Sequence, residues 1–125
     1  MKIAVMIIRV LMGLLFLFAS LTFFLNLIPP PELTGATKTF MEGLDAVGYL
    51  LPLVKAVELL CAIAFITGRY IPLAVVLISP IIVNIFLFHT LIDQAGFAVG
   101  LFLVLANGFL AYAYWNKFQP ILEAK

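Results

Sequence analysis

The sequence predicts an all-α integral membrane protein: a four-helix bundle with cytoplasmic N- and C-termini and a short amphipathic helix between spans one and two. Three observations predict it. The chain is 66% hydrophobic and only 10% charged over 125 residues, whereas soluble domains carry roughly a quarter charged residues. Its mean hydropathy is +1.25. Its length suits about four spans of ~20 residues with short connections, one membrane domain over 1–125 with no room for a soluble module.

The first span covers about 3–27. It starts like a signal peptide at Met1-Lys2, but the apolar run is far longer than a ~7–15-residue signal core. Phe18-Ala19-Ser20 is a poor cleavage site, so the run reads as an uncleaved span. Arg9 interrupts it about 10 Å from the start by helical rise, where its arm can snorkel to the interface. Gly13, Phe16 and Ser20 continue the face of Arg9. Pro29-Pro30-Pro31 stops the helix.

Next comes the longest polar stretch, about 31–47. Thr39-Phe40-Met41-Glu42 matches a capping box. Phe40, Met41, Leu44 and Val47 then share one face, opposite Glu42 and Asp45, as in a helix on the membrane surface or capping the bundle.

The second span, about 49–67, carries Lys55 and Glu58 inside an otherwise apolar run. Each charge costs about 2.5–3.5 kcal/mol near the bilayer centre, while each Leu, Ile, Val or Phe returns about 0.3–0.6. The span is therefore marginal alone in lipid, and its charges are candidates for function. Leu51, Lys55, Glu58, Ala62, Phe65 and Arg69 form one helical stripe. Gly68-Arg69-Tyr70 is so short a link that spans two and three must be antiparallel neighbours.

The third span, about 71–91, contains Pro80, which predicts a kink, then Asn84 and, near its end, His89. A short loop with Asp93 leads to the fourth span, about 96–115. Gly96 and Gly100 form a GxxxG step, a candidate face for homo-oligomer contact. Tyr112, Tyr114 and Trp115 suit an interfacial belt, and 116–125 reads as a short tail.

Lys2, Arg69, Lys117 and Lys125 fall on the side of the termini, and only Lys38 falls on the other, among Glu32, Glu42, Asp45 and Asp93. The positive-inside rule then places both termini in the cytoplasm. The lipid bilayer is the first partner. The net charge of +1 and the lack of a basic patch exclude nucleic acid. Cys61 is the sole cysteine, so neither an intrachain disulfide nor a dithiol relay is open to the chain.

By helical rise Lys55 lies about 10 Å below the outer boundary and Glu58 about 5 Å deeper. Asn84 reaches the depth of Lys55 and Asn107 that of Glu58. Lys55, Glu58, Asn84, Asn107 and Ser20 are thus expected to share one interior, with His89 at its mouth and Arg9 and Arg69 as secondary candidates. The plain structural account is an ion pair at i, i+3 with asparagines as interhelical glue. The functional account is an outward-opening pocket for a small ligand. A quinone suits it, with Lys55 or His89 donating to a carbonyl oxygen beside Phe86 and Phe88. Glu58 is a candidate for proton exchange unless the Lys55 pair holds it ionised. No metal cluster, phosphate loop or nucleophile–base set is evident.

Several stretches carry a family resemblance. They are Arg9-Val10-Leu11-Met12-Gly13 followed by LLFLFAS, the run from Tyr49 to Lys55, Glu58-Leu59-Leu60-Cys61, Thr67-Gly68-Arg69-Tyr70 with Pro72, and Pro80 to Asn84 with Phe88-His89. Across nearly its whole length the chain resembles the DoxX-like membrane proteins. That resemblance implies a multi-pass four-helix bundle of the bacterial inner (plasma) membrane. It marks Lys55, Glu58, Arg69, Asn84 and His89 as recurrent polar positions. The family's name comes from a small subunit of a quinone-reactive oxidase, which implies an accessory role in a membrane redox system beside a membrane or peripheral redox protein. It does not imply a self-sufficient enzyme, and the missing CxxC separates this chain from dithiol-bearing relatives. A small proton, ion or metabolite carrier and a non-catalytic scaffold stay open as alternatives.

Overall fold

A computed structural model describes residues 2–26, 32–92 and 94–123. The expected end of span one at Leu27, the Pro29-Pro30-Pro31 stop, Asp93 and Lys125 lie outside the described residues. The elements are α1 (Lys2–Leu25), α2 (Gly35–Val47), α3 (Leu50–Thr67), α4 (Ile71–Leu91), a 3-10 turn (Gln94–Gly96), α5 (Phe97–Ala113) and α6 (Trp115–Leu122). Four segments are long and apolar enough to span a membrane: Lys2–Leu25, Leu50–Thr67, Ile71–Leu91 and Gln94–Ala113. At 1.5 Å per residue, the 18 residues of α3 measure about 27 Å, close to the hydrocarbon thickness.

The spans close into a ring. α1 packs against α3 and α5, and α4 packs against the same two helices from the other side. The centre is largely apolar: Met12 and Phe16 of α1, Ala62 and Phe65 of α3, Ile78 and Ile82 of α4, and Leu103 and Leu110 of α5 are buried. The outer surface is equally apolar, with Leu11, Phe18, Leu60, Leu73, Leu105 and many others exposed. A soluble monomer rarely shows so continuous an apolar coat; lipid tails are its natural solvent.

Glycines set how closely the helices approach. A Cβ at Gly13 would lie 2.6 Å from Ile66 Cγ1 and 3.1 Å from the Ala62 carbonyl oxygen, so α1 rests directly on the α3 backbone. A Cβ at Gly100 would lie 3.2 Å from Phe86 Cα. The Gly96/Gly100 step expected to meet a second chain is therefore occupied within this one: Gly100 abuts α4 and Gly96 abuts the His89 ring. A second copy could reach Gly100 only by displacing α4.

The α3–α4 link is as tight as expected. Gly68 closes α3 in the left-handed region at φ 78°, and the Gly68 and Arg69 N–H groups both donate to the Ala64 carbonyl. α4 runs through Pro80 without a break.

Two expectations about element boundaries are corrected. α2 begins at Gly35, not after a cap at Thr39. The Thr39 hydroxyl donates instead to the Gly35 carbonyl at 3.3 Å, inside the helix. The segment read as a tail holds α6, whose Phe118 is buried while Trp115, Ile121 and Leu122 stay exposed.

α2 lies at the bundle end remote from the chain termini. Phe40, Met41 and Leu44 are half-buried beneath it, and Glu42 and Asp45 face outward, as the amphipathic pattern requires. Val47, expected on the packed face, is exposed. Phe40 stacks on Phe88 of α4, with ring centroids 4.7 Å apart and planes inclined by 39°. Such a pair contributes about 0.5–1.5 kcal/mol beyond its area. Phe40→Ala is therefore expected to release α2 while leaving the bundle folded. Amide hydrogen exchange should show protection lost over 35–47 and kept in α1 and α3–α5; unchanged protection of α2 would show that other contacts hold it.

Candidate functional site

Beneath α2 the bundle opens into a cavity of ≈ 530 Å³. Phe18, Ala19, Thr22 and Phe23 of α1 form one wall, Leu51 and Lys55 of α3 a second, and Ile85 and Phe88 of α4 a third; Met41 and Leu44 of α2 form the roof. The lining is apolar except for Thr22 and Lys55. The Thr22 hydroxyl already donates to the Ala19 carbonyl at 3.0 Å. Among the described residues, Lys55 is thus the one charged group in the cavity wall.

Lys55 Nζ lies 3.3 Å from Glu58 Oε2, an i, i+3 pair on α3. The two partners are unequally placed. The Lys55 side chain keeps 21% of its surface, whereas that of Glu58 keeps 4%. Glu58 belongs to the buried body of the bundle and Lys55 to the cavity above it. Lone buried charges are strongly disfavoured, so each partner makes the other tolerable at this depth.

The remaining sequence candidates are distributed around this pair rather than gathered on it. Ser20 is fully buried, but its hydroxyl donates to the Phe16 carbonyl at 2.7 Å, within its own helix. Asn84 is exposed and lines a neighbouring groove of ≈ 330 Å³ between α2, α3 and α4. Asn107 Nδ2 donates to Ser79 Oγ at 2.9 Å, joining α5 to α4, and the Ser79 hydroxyl passes a hydrogen bond to the Val75 carbonyl. Asn107 Oδ1 is buried with no hydrogen-bond partner among the described residues. His89 is half-buried, packed on Gly96 and edge-on to Phe88 at 5.1 Å between centroids. Phe88 reaches the cavity; Phe86 stacks instead on Phe97 at 5.8 Å. Arg9 and Arg69 lie at the opposite end. The Arg9 guanidinium packs over Gly68 rather than extending freely into water, and Arg69 is exposed in the link.

Residues that sequence reasoning passed over complete the site. Phe18, Thr22 and Phe23 supply its α1 wall, and Ser79 partners Asn107. Phe18 and Thr22 sit four residues apart on one face, a repeat legible in principle but camouflaged in a helix apolar all round. Among the described residues no group of His, Cys, Asp and Glu could hold a metal ion. Buried Cys61 directs its thiol at the Ala74 carbonyl, 3.8 Å away.

Four membrane-length helices packed around a largely apolar core, with an open cavity beside α2 at one end, define a small multi-pass membrane bundle. The sequence profile of the DoxX family matches residues 4–90, spanning α1 through nearly all of α4. The chain belongs to the DoxX family. No curated protein and no solved structure matches it.

Proposed function

We propose that the protein is an accessory subunit of a bacterial inner-membrane redox system and that it holds a quinone-class ligand in the cavity beneath α2. Both termini then face the cytoplasm, since Lys2, Arg69 and Lys117 lie at one end and, among the described residues, only Lys38 at the other, beside Glu32, Glu42 and Asp45. The observation that carries this reading is the cavity: apolar walls, aromatic rings at Phe18, Phe23 and Phe88, and one cationic donor, Lys55. Its ≈ 530 Å³ falls within the roughly 300–1,000 Å³ of small-molecule sites. A quinone presents a flat apolar ring with carbonyl acceptors and an apolar tail, and these match the rings, the ammonium and the surrounding lipid in turn. A carrier finds less support, because the centre of the bundle, at Met12, Phe16, Ala62, Phe65 and Ile78, is packed solid.

The scaffold reading has its own observation: Lys55 and Glu58 satisfy each other without any ligand. Purification in mild detergent followed by solvent extraction and chromatography separates the two. Wild-type protein is expected to yield near-stoichiometric quinone, and the Lys55→Met/Glu58→Met double variant, which leaves no charge stranded, is expected to yield little. Protein that carries no quinone, together with membrane redox activity indifferent to the double variant, would favour the scaffold.

A further inference from the structure

At the end of the bundle that carries both chain termini lies a second cavity, of ≈ 360 Å³. Lys2, Val5, Met6 and Arg9 line it from α1, and Ala113 and Tyr114 close it from α5 and the α5–α6 junction. Lys2 and Arg9 are two helical turns apart, which places both cations on one face of α1. Arg9 Nε is buried and donates to no acceptor among the described residues. Its guanidinium lies over Gly68, with Nη1, Cζ and Nη2 at 2.7, 3.1 and 3.4 Å from where a Cβ would stand. The C-terminal end of α3 therefore attracts the cation yet takes none of its hydrogen bonds. Among the described residues the ion pairs are Lys38–Glu42 and Lys55–Glu58, so no carboxylate neutralises Arg9 or Lys2.

Arginine cannot shed its proton, and a buried N–H without an acceptor is costly. The cavity thus lacks one thing, an anion with several acceptor oxygens. We propose that it binds the phosphate of an anionic phospholipid headgroup. A planar guanidinium takes phosphate oxygens in pairs, and a lysine adds a mobile point charge. Arg9 sits about 10 Å along α1, within reach of the headgroup boundary for a long side chain that snorkels. Val5, Met6 and Ala113 give the walls an apolar character suited to the glycerol and upper acyl carbons. Trp115 opens α6 directly after Tyr114, an aromatic of the kind that anchors at the headgroup level. Basic pockets between spans are a recurrent lipid-headgroup geometry.

The test is native mass spectrometry of the full chain titrated with phosphatidylglycerol or phosphatidylcholine, alongside thermal unfolding in inorganic phosphate. Phosphatidylglycerol is expected to bind in preference to phosphatidylcholine. Lys2→Gln, a change at the exposed start of α1, should weaken that binding about fivefold, the worth of one interfacial cation. Arg9→Lys keeps the charge and removes the fork, and should weaken it at least as much. Stabilisation by inorganic phosphate alone, lost in Lys2→Gln, would keep the phosphate site and overturn the lipid as its source. Equal binding of both lipids, or phosphatidylglycerol affinity unmoved by Lys2→Gln and Arg9→Lys alike, would overturn the proposal. If Arg9→Lys fails to fold, Lys2→Gln decides by itself.

Discussion

Lys55→Met is expected to destabilise the bundle by about 3–5 kcal/mol, the range for removing one partner of a buried ion pair. The physical reason is the asymmetry of the pair. Glu58 retains 4% of its side-chain surface and Lys55 retains 21%. Removing Lys55 strands a carboxylate in the interior, whereas Glu58→Gln leaves an ammonium that can relax into the cavity beneath α2. Glu58→Gln should therefore be the milder change. The double variant Lys55→Met/Glu58→Met should recover most of the loss, because well-packed apolar replacements of a buried pair are often neutral. Equilibrium unfolding in mixed micelles, run as a double-mutant cycle, measures this directly. Equal losses for the two single variants would show that unequal burial does not set the cost, and a coupling energy near zero would show that the two charges do not support each other. The same double variant serves the ligand assay, so stability and binding are separated in one protein.

What could be read in the sequence follows from which geometry a single helix determines. Span positions were legible because composition alone sets them: α3 and α4 fall at Leu50–Thr67 and Ile71–Leu91, against expectations of 49–67 and 71–91. Position along each helix was legible for the same reason, since rise per residue is constant. Rotation about the helix axis was not. Asn84 and Asn107 were expected to turn into one interior, yet Asn84 turns outward to a groove and Asn107 turns to Ser79. Azimuth depends on how helices seat against one another, and in a helix apolar all round no stripe announces the seam. The capping box misled for a related reason. Thr-x-x-Glu also occurs within helices, where a threonine hydroxyl bonds back to the preceding turn, as Thr39 does to Gly35. α6 was hidden by Asn116, Lys117, Gln119 and Pro120, a polar run whose helical order shows only through the burial of Phe118.

The seam that sets those azimuths carries the second large expectation. Gly13→Leu should unfold or rearrange the α1–α3 pair, with a loss at or above the ~1–3 kcal/mol usual for overpacking. Three atoms crowd the position where its Cβ would stand. Ile66 Cγ1 at 2.6 Å belongs to a side chain that can turn away, but the Ala62 carbonyl oxygen at 3.1 Å and the Ile66 nitrogen at 3.2 Å are backbone. A leucine can enter only if the helices part. Parting would move Phe18, Thr22 and Phe23 relative to Lys55, opening the α2 cavity, and would lift Arg9 from Gly68 at the other end. Gly108→Leu is the matched control. Nothing lies within 4 Å of its Cβ position, and replacing a mid-helix glycine at an exposed site removes a penalty of roughly 0.5–1 kcal/mol. Unfolding of the two variants side by side should show a large loss for Gly13→Leu and none for Gly108→Leu. Comparable stabilities would mean that α1 and α3 are not seated through Gly13, and that the α1 walls of both cavities are placed by something other than this contact.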